Sequence, residues 1–268
     1  MDTRFWGPSG WHLLHLIVSA PINNREEQDL HKFFECLPYV LPCKFCRYSL
    51  ASYYEQRPVP TKFEAMELWL YNIHNDVNGK LRGQKLLSTP DPTFEEIHER
   101  YKKWSNTPCA STQFLGWDFL YSIANTTPSI KTQSSPMPNA PSNIESPEDK
   151  NKWNLMNYKE RLPYIKQWWD LFAKVLPYEP WRKAWLKTSS PPLDNGKKQM
   201  LNWLYTNEKI ICKSMSEQAI HNSFGGLCKE ISAFSSNCGS TSSPRQKTCR
   251  AKKQVIRNRL TRLRRNNQ

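Results

Sequence analysis

The chain has 268 residues, a mean hydropathy of −0.74 and a formal net charge of +14, which is room for one ordinary domain or two small ones around a modest core. Nine glycines against twenty prolines argue against a glycine-rich nucleotide fold and for short helices interrupted by proline. The charge is uneven: ten basic residues and no acid lie in 244–268, and without them the rest of the chain carries only +4.

The opening MDTRFWGPSGW lacks the basic, apolar, small-residue order of a secretory signal. Ser9 is predicted to cap a first helix, in which Trp11, Leu14, His15 and Val18 recur at helical spacing until Pro21 stops it. Its apolar run, 13–20, is broken by His15 and too short to span a bilayer, so a soluble protein with no membrane attachment is expected. Three further starts carry the capping-box pattern: Asn24 with Glu27, Thr61 with Glu64, and Thr93 with Glu96. Between the first two, a segment runs from Cys43 to Gln56 and ends at Pro58. No alternating strand pattern stands out, and the expected class is all-α.

From 126 to 149 the composition turns to Ser, Thr, Asn and Pro, which reads as a linker. Beyond it, Trp153, Trp168, Trp169, Phe172, Trp181, Trp185, Trp203 and Leu204 mark a Trp-rich helical accessory domain over 150–233. Residues 234–268 read as a basic, unstructured tail. The expected division is therefore 1–125, 126–149, 150–233 and 234–268.

Eight cysteines in a chain without an export signal suggest redox or metal chemistry more than structural disulfides. Cys43 and Cys46 are one helical turn apart, and at a helix start the unpaired amides and the macrodipole favour a thiolate. The competing reading is half a zinc site, but no second CxxC or HxxxH supplies the other half. No metal ligand set is predicted. A thioredoxin-like motif would need a preceding strand, which is not read here. In the Thr61 helix, His74, Asn78 and Leu81 share one face at i, i+4 and i+7. Taken alone, that face is read equally well as core packing or as a binding surface, and so are Trp11 and His15.

Three segments taken together are more specific: Gly7-Pro8-Ser9-Gly10-Trp11-His12-Leu13-Leu14-His15, then Pro42-Cys43-Lys44-Phe45-Cys46, then Trp69 followed by His74-Asn75-Asp76-Val77-Asn78-Gly79-Lys80-Leu81. They resemble the Erv family of FAD-linked sulfhydryl oxidases, the family of augmenter of liver regeneration, and Glu99 to Trp104 resembles its closing segment. The resemblance covers roughly residues 4–109. Leaderless two-domain chains of this kind look most like the versions in large DNA viruses, which would place the protein in the host cytoplasm or the virion.

The resemblance implies a four-helix bundle with a short fifth helix, holding FAD at one end and pairing as a homodimer. Gly7, Ser9, Trp11, His15, His74, Asn75, Asn78, Lys80 and Leu81 would line the cofactor, with Trp104 nearby. Cys46 would be the flavin-proximal sulfur and Cys43 the one that exchanges with reduced protein dithiols, oxygen being the final acceptor. The family's second disulfide is only half matched: Cys109 falls where the later cysteine would, while the earlier partner is replaced by Thr89-Pro90-Asp91-Pro92-Thr93. Cys228, Cys238 and Cys249 read either as shuttle cysteines or as ordinary ones. The basic tail reads as a solvated charge run, a nucleic-acid contact or an address signal. The rival class is a nucleic-acid- or virion-binding protein with a vestigial oxidase fold, against which the intact Cys43 and Cys46 weigh.

Overall fold

The computed structural model describes residues 2–107, 114–128, 135–215 and 217–234. The described residues form α-helices and short 3-10 and turn segments, with no strand among them. The first five helices are α1 (Thr3–Ser19), α2 (Glu27–Val40), α3 (Lys44–Gln56), α4 (Met66–Gly83) and α5 (Phe94–Ser105). They are followed by α6 (Trp117–Ala124), α7 (Pro147–Lys152), α8 (Tyr158–Val175), α9 (Glu179–Leu186), α10 (Lys197–Ser214) and α11 (Phe224–Ala233).

Of the four predicted helix starts, only Thr93 caps as expected, exchanging both capping-box hydrogen bonds with Glu96. Ser9 lies inside α1, which runs through Pro8 and is capped by Asp2. The Ser9 hydroxyl instead donates to Leu115 O at 2.6 Å and accepts from Phe119 N, tying α6 onto α1. Asn24 occupies a left-handed turn at φ 57 rather than a cap. Glu27, its expected partner, accepts from Phe63 N and Lys62 Nζ across the bundle. Thr61 likewise caps nothing: a 3-10 turn at Phe63–Ala65 precedes α4. For Ser9 and Glu27 a long-range partner displaced the local bond.

α1, α4 and α5 pack on one another, α3 lies against α2 and α4, and α6 covers α1. The α1–α6 approach is close: a Cβ on Gly116 would sit 2.8 Å from both Leu13 and Phe114. The sequence boundary at 126–149 is one of composition, and the apolar core continues across it. Along the α2–α8 contact, Trp168 stacks on Phe33 with centroids 5.1 Å apart, and Tyr164 stacks on Tyr39 at 3.8 Å. Arg25 is 5% exposed, and its guanidinium donates to Ile17 O, Ala20 O and Pro21 O at the end of α1 and to Val175 O at the end of α8. A second buried link joins α6 to α10, where Glu208 accepts from Tyr121 Oη and pairs with His221 Nδ1 at 2.9 Å. Burial disfavours the charged His221, but its hydrogen bonds to Glu208 and Glu230 outweigh that and raise its pKa to about 9. No helix among the described residues is long and apolar enough to cross a membrane.

Candidate functional site

Cys43 is the N-cap of α3, and Cys46 ends its first turn. The Cys46 thiol donates to the Cys43 sulfur, and with help from the backbone amides of Cys46 and Phe45 and the charge of Arg47 this lowers Cys43 to about 6 against the opposing effect of burial. The same hydrogen bond, together with burial, pushes Cys46 well above the ordinary thiol range, while Lys80 and Arg47 pull it back. The reduced pair is therefore asymmetric, Cys43 being the more acidic sulfur and Cys46 the one that keeps its proton. Cys43 is only 4% exposed, and Lys44 Nζ donates to Ser135 O and Oγ, so residue 135 lies against the turn that carries the pair. By contrast, Cys36 is buried, donates to Gln167 Oε1 at 3.4 Å and is pushed by burial up to about 11, which makes it inert.

A cluster of rings lies where α1, α4 and α5 meet. Trp11 stacks on His74 with centroids 3.9 Å apart, and His15 Nε2 lies 3.0 Å from His74 Nδ1. His15 also stacks on Tyr101, and His12 meets Trp104 edge-on at 4.5 Å. His12 Nε2 and His15 Nδ1 are buried without a partner. Beside the cluster, an open groove of about 950 Å³ runs between the 90–92 loop and α5, lined by Asp91, Arg100 and Lys103 among others.

The structure brings Trp11, His15, His74 and Trp104 into one cluster of rings. Asn78 faces the groove's edge, donating to Asp91 Oδ1 at 2.8 Å. Asn75 and Leu81 are half-buried on α4. Lys80 lies toward α3, donating to Ser49 Oγ and adding its charge beside Cys46. Gly7 and Ser9 stand apart: a Cβ on Gly7 would meet open space, and Ser9 holds α6. Sequence reasoning missed His12, Tyr101, Arg100 and Asp91. The Trp11-His12 adjacency and the helical spacing of Arg100, Tyr101, Lys103 and Trp104 were the available signals. Cys109, Cys238, Cys249 and the basic tail lie outside the described residues.

Burial holds the three imidazoles neutral. It lowers His12 to about 4 with help from Arg100, and His15 to about 3 with help from His74, His12 and Arg100. It lowers His74 to about 4 against the pull of Asp91. Their folded pKa values lie below the unfolded value near 6.5, so their neutral forms favour folding fully above that pH. That contribution is lost as pH falls through the folded values. The melting temperature is expected to drop steeply between pH 6.5 and 4, each ring costing roughly tenfold in the folding equilibrium per pH unit. His15→Gln should flatten that slope, and an unchanged slope would show that these rings do not titrate on unfolding.

An FAD fits this constellation on three counts. The orphaned His12 and His15 nitrogens need buried partners, which flavin and adenine heteroatoms supply. The rings offer stacking faces. The groove beside them carries Arg100 and Lys103, donors suited to a phosphate, set among Asp91, Glu96 and Glu99.

Comparison with known proteins points the same way. Residues 8–102 match the Erv1/Alr family, a stretch that contains Cys43, Cys46 and every ring of the cluster except Trp104. Over 121 residues the chain is 27% identical to the mitochondrial FAD-linked sulfhydryl oxidase ERV1 of Saccharomyces cerevisiae. That alignment covers 44% of this chain and 54% of the yeast protein, so the chain spans about half the length of the curated relative it matches. No solved structure matches it.

Proposed function

We propose that the chain is an FAD-dependent thiol oxidase that forms disulfides in reduced protein substrates. The observation that carries this reading is the Cys43–Cys46 pair, with its split acidity, set through Lys80 on the same helix that brings His74 to the ring cluster. The residues matched by the Erv1/Alr family and the similarity to the yeast oxidase support it.

In the working cycle the pair begins as a disulfide. A substrate thiolate attacks the Cys43 sulfur, and Cys46 departs and takes up a proton, burial favouring its thiol form. A second substrate thiolate then attacks the substrate sulfur of this mixed disulfide. Cys43 leaves readily because its thiolate is stabilised. The substrate departs as a disulfide, and the pair keeps the two electrons. Bound FAD would accept those electrons and pass them to oxygen, giving hydrogen peroxide. Trp11, His12, His15, His74, Tyr101 and Trp104 would hold the cofactor's rings, and Arg100 and Lys103 its phosphates.

Purified protein supplied with FAD is expected to be yellow and to consume oxygen with a small dithiol. His74→Ala removes the ring stacked on Trp11 and should lower flavin occupancy severalfold. It should also abolish the rise in melting temperature that saturating FAD gives, because a ligand stabilises the native state only by binding it. A colourless wild-type protein that reduces no oxygen would overturn the reading. Unchanged flavin content in His74→Ala would move the cofactor away from this cluster.

A further inference from the structure

A cavity of about 660 Å³ opens beside Pro42, the residue before Cys43, and Arg47, one turn further along α3. The rest of its wall comes from the other half of the chain and includes Arg161 on α8 and Gly196, Lys197 and Lys198 at the start of α10. Among the described residues no Asp or Glu lines it. Arg47 and Arg161 are buried, at 5% and 9% exposure. Arg47 donates to Leu41 O and Asn154 Oδ1, and Arg161 donates to Tyr39 O. The Nε of each is buried with no acceptor. Among the described residues neither guanidinium has a carboxylate partner, and each adds to the positive charge around the other. Burial, reinforced by Arg161, lowers Arg47 to about 9.

Arg161 has no carboxylate partner and Arg47 has only the Cys43 sulfur, which carries no charge once the pair is a disulfide, so the two buried cations are costly unless an anion visits them. The start of α10 adds to the same demand. Gly196 at φ +82 provides no side-chain cap, and the first turn holds no acid. Its orphan amides and the positive end of the helix dipole therefore lie at the cavity with Lys197 and Lys198. An arginine fork suits a carboxylate or phosphate oxygen pair. The volume exceeds what one inorganic ion needs and is in the range of a side chain with its backbone. Because Arg47 both lines the cavity and sits beside the exchanging sulfur, an anion held here lies next to thiol exchange.

We propose that this cavity is an anion subsite that receives an acidic side chain flanking the substrate cysteine, so that the enzyme prefers dithiols carried on acidic peptide segments. The substrate part of this proposal rests on the thiol-oxidase reading above.

The test uses full-length, flavin-loaded protein and two synthetic dithiol peptides that differ only in Asp and Glu against Asn and Gln beside the cysteines. Oxygen consumption should give a kcat/KM about tenfold higher for the acidic peptide, the scale of one charged hydrogen-bonded contact. In Lys197→Gln/Lys198→Gln, which alters exposed side chains, that preference should fall to within about twofold. Lys209→Gln/Lys213→Gln removes the same charge further along α10 and should keep the preference, which separates the subsite from general attraction by a basic protein. Inorganic phosphate should compete with the acidic peptide and raise the melting temperature of the wild type but not of the Lys197/Lys198 variant. Equal rates on both peptides with a phosphate shift retained would make the cavity a site for free oxyanions and overturn the peptide assignment. If neither peptide is oxidised, the oxidase reading fails separately. Binding of the acidic peptide to wild type against the Lys197/Lys198 variant then decides the subsite, and equal binding overturns it.

Discussion

Replacing Cys43 with Ser is expected to reduce dithiol turnover by more than about 10³-fold while the flavin stays bound. A serine hydroxyl neither forms the exchangeable sulfur bond nor ionises near neutral pH. The rings assigned to the cofactor come from α1, α4 and α5, whereas Cys43 starts α3, so the pocket should survive. An oxygen electrode and a flavin spectrum on the same sample read both quantities. The partner variant separates the two roles: in Cys46→Ser the Cys43 thiolate should attack a substrate supplied as its disulfide, the substrate's other sulfur leaving as a thiolate, and hold a mixed disulfide that mass spectrometry detects. Substrate accumulating on Cys46 in Cys43→Ser would reverse the roles. Turnover within tenfold of wild type in Cys43→Ser would dispose of the pair as the redox centre.

Arg25→Met should cost at least about 3–5 kcal/mol, the scale for removing a buried charged donor whose acceptors then stay dry. The side chain is enclosed, and burial followed by Arg182 lowers its pKa to about 9, so its hold on these carbonyls is its reason for being there. Methionine fills similar volume but leaves the carbonyls of Ile17, Ala20, Pro21 and Val175 without this donor. Urea unfolding monitored by tryptophan fluorescence and by helical circular dichroism should show a lower midpoint with the two signals still coincident. Coincidence is expected because the core packs Phe33 and Phe119 on Trp168 across the compositional boundary. Two separated transitions, or a midpoint unmoved by the substitution, would show that the halves fold independently and that Arg25 does not join them.

The sequence by itself determined the helical class and the position of the Cys43–Cys46 pair at a helix start. It also determined the capped start of α5 at Thr93. These follow from local rules: side-chain periodicity, a cap three residues from its glutamate, and two sulfurs one turn apart. The grouping of Trp11, His15, His74 and Trp104 came from the family resemblance, since periodicity alone read that face equally well as core. The tertiary structure decided what depends on groups distant in the chain. Ser9 and Glu27 carry good capping chemistry, yet each hydroxyl or carboxylate went to a partner across the bundle, because a side-chain oxygen bonds whichever amide or carbonyl the packed chain presents. Asn78 lies on the predicted face, but its partner Asp91 belongs to a loop whose approach no periodicity encodes. His12 was given no role from sequence, and it is α5 that lays Trp104 against it. The two buried arginines are more than a hundred residues apart, and neither shows in sequence that it lacks a carboxylate. Only the tertiary fold put their charges, and an uncapped helix start, around one cavity that opens beside Pro42, the residue before the reactive sulfur.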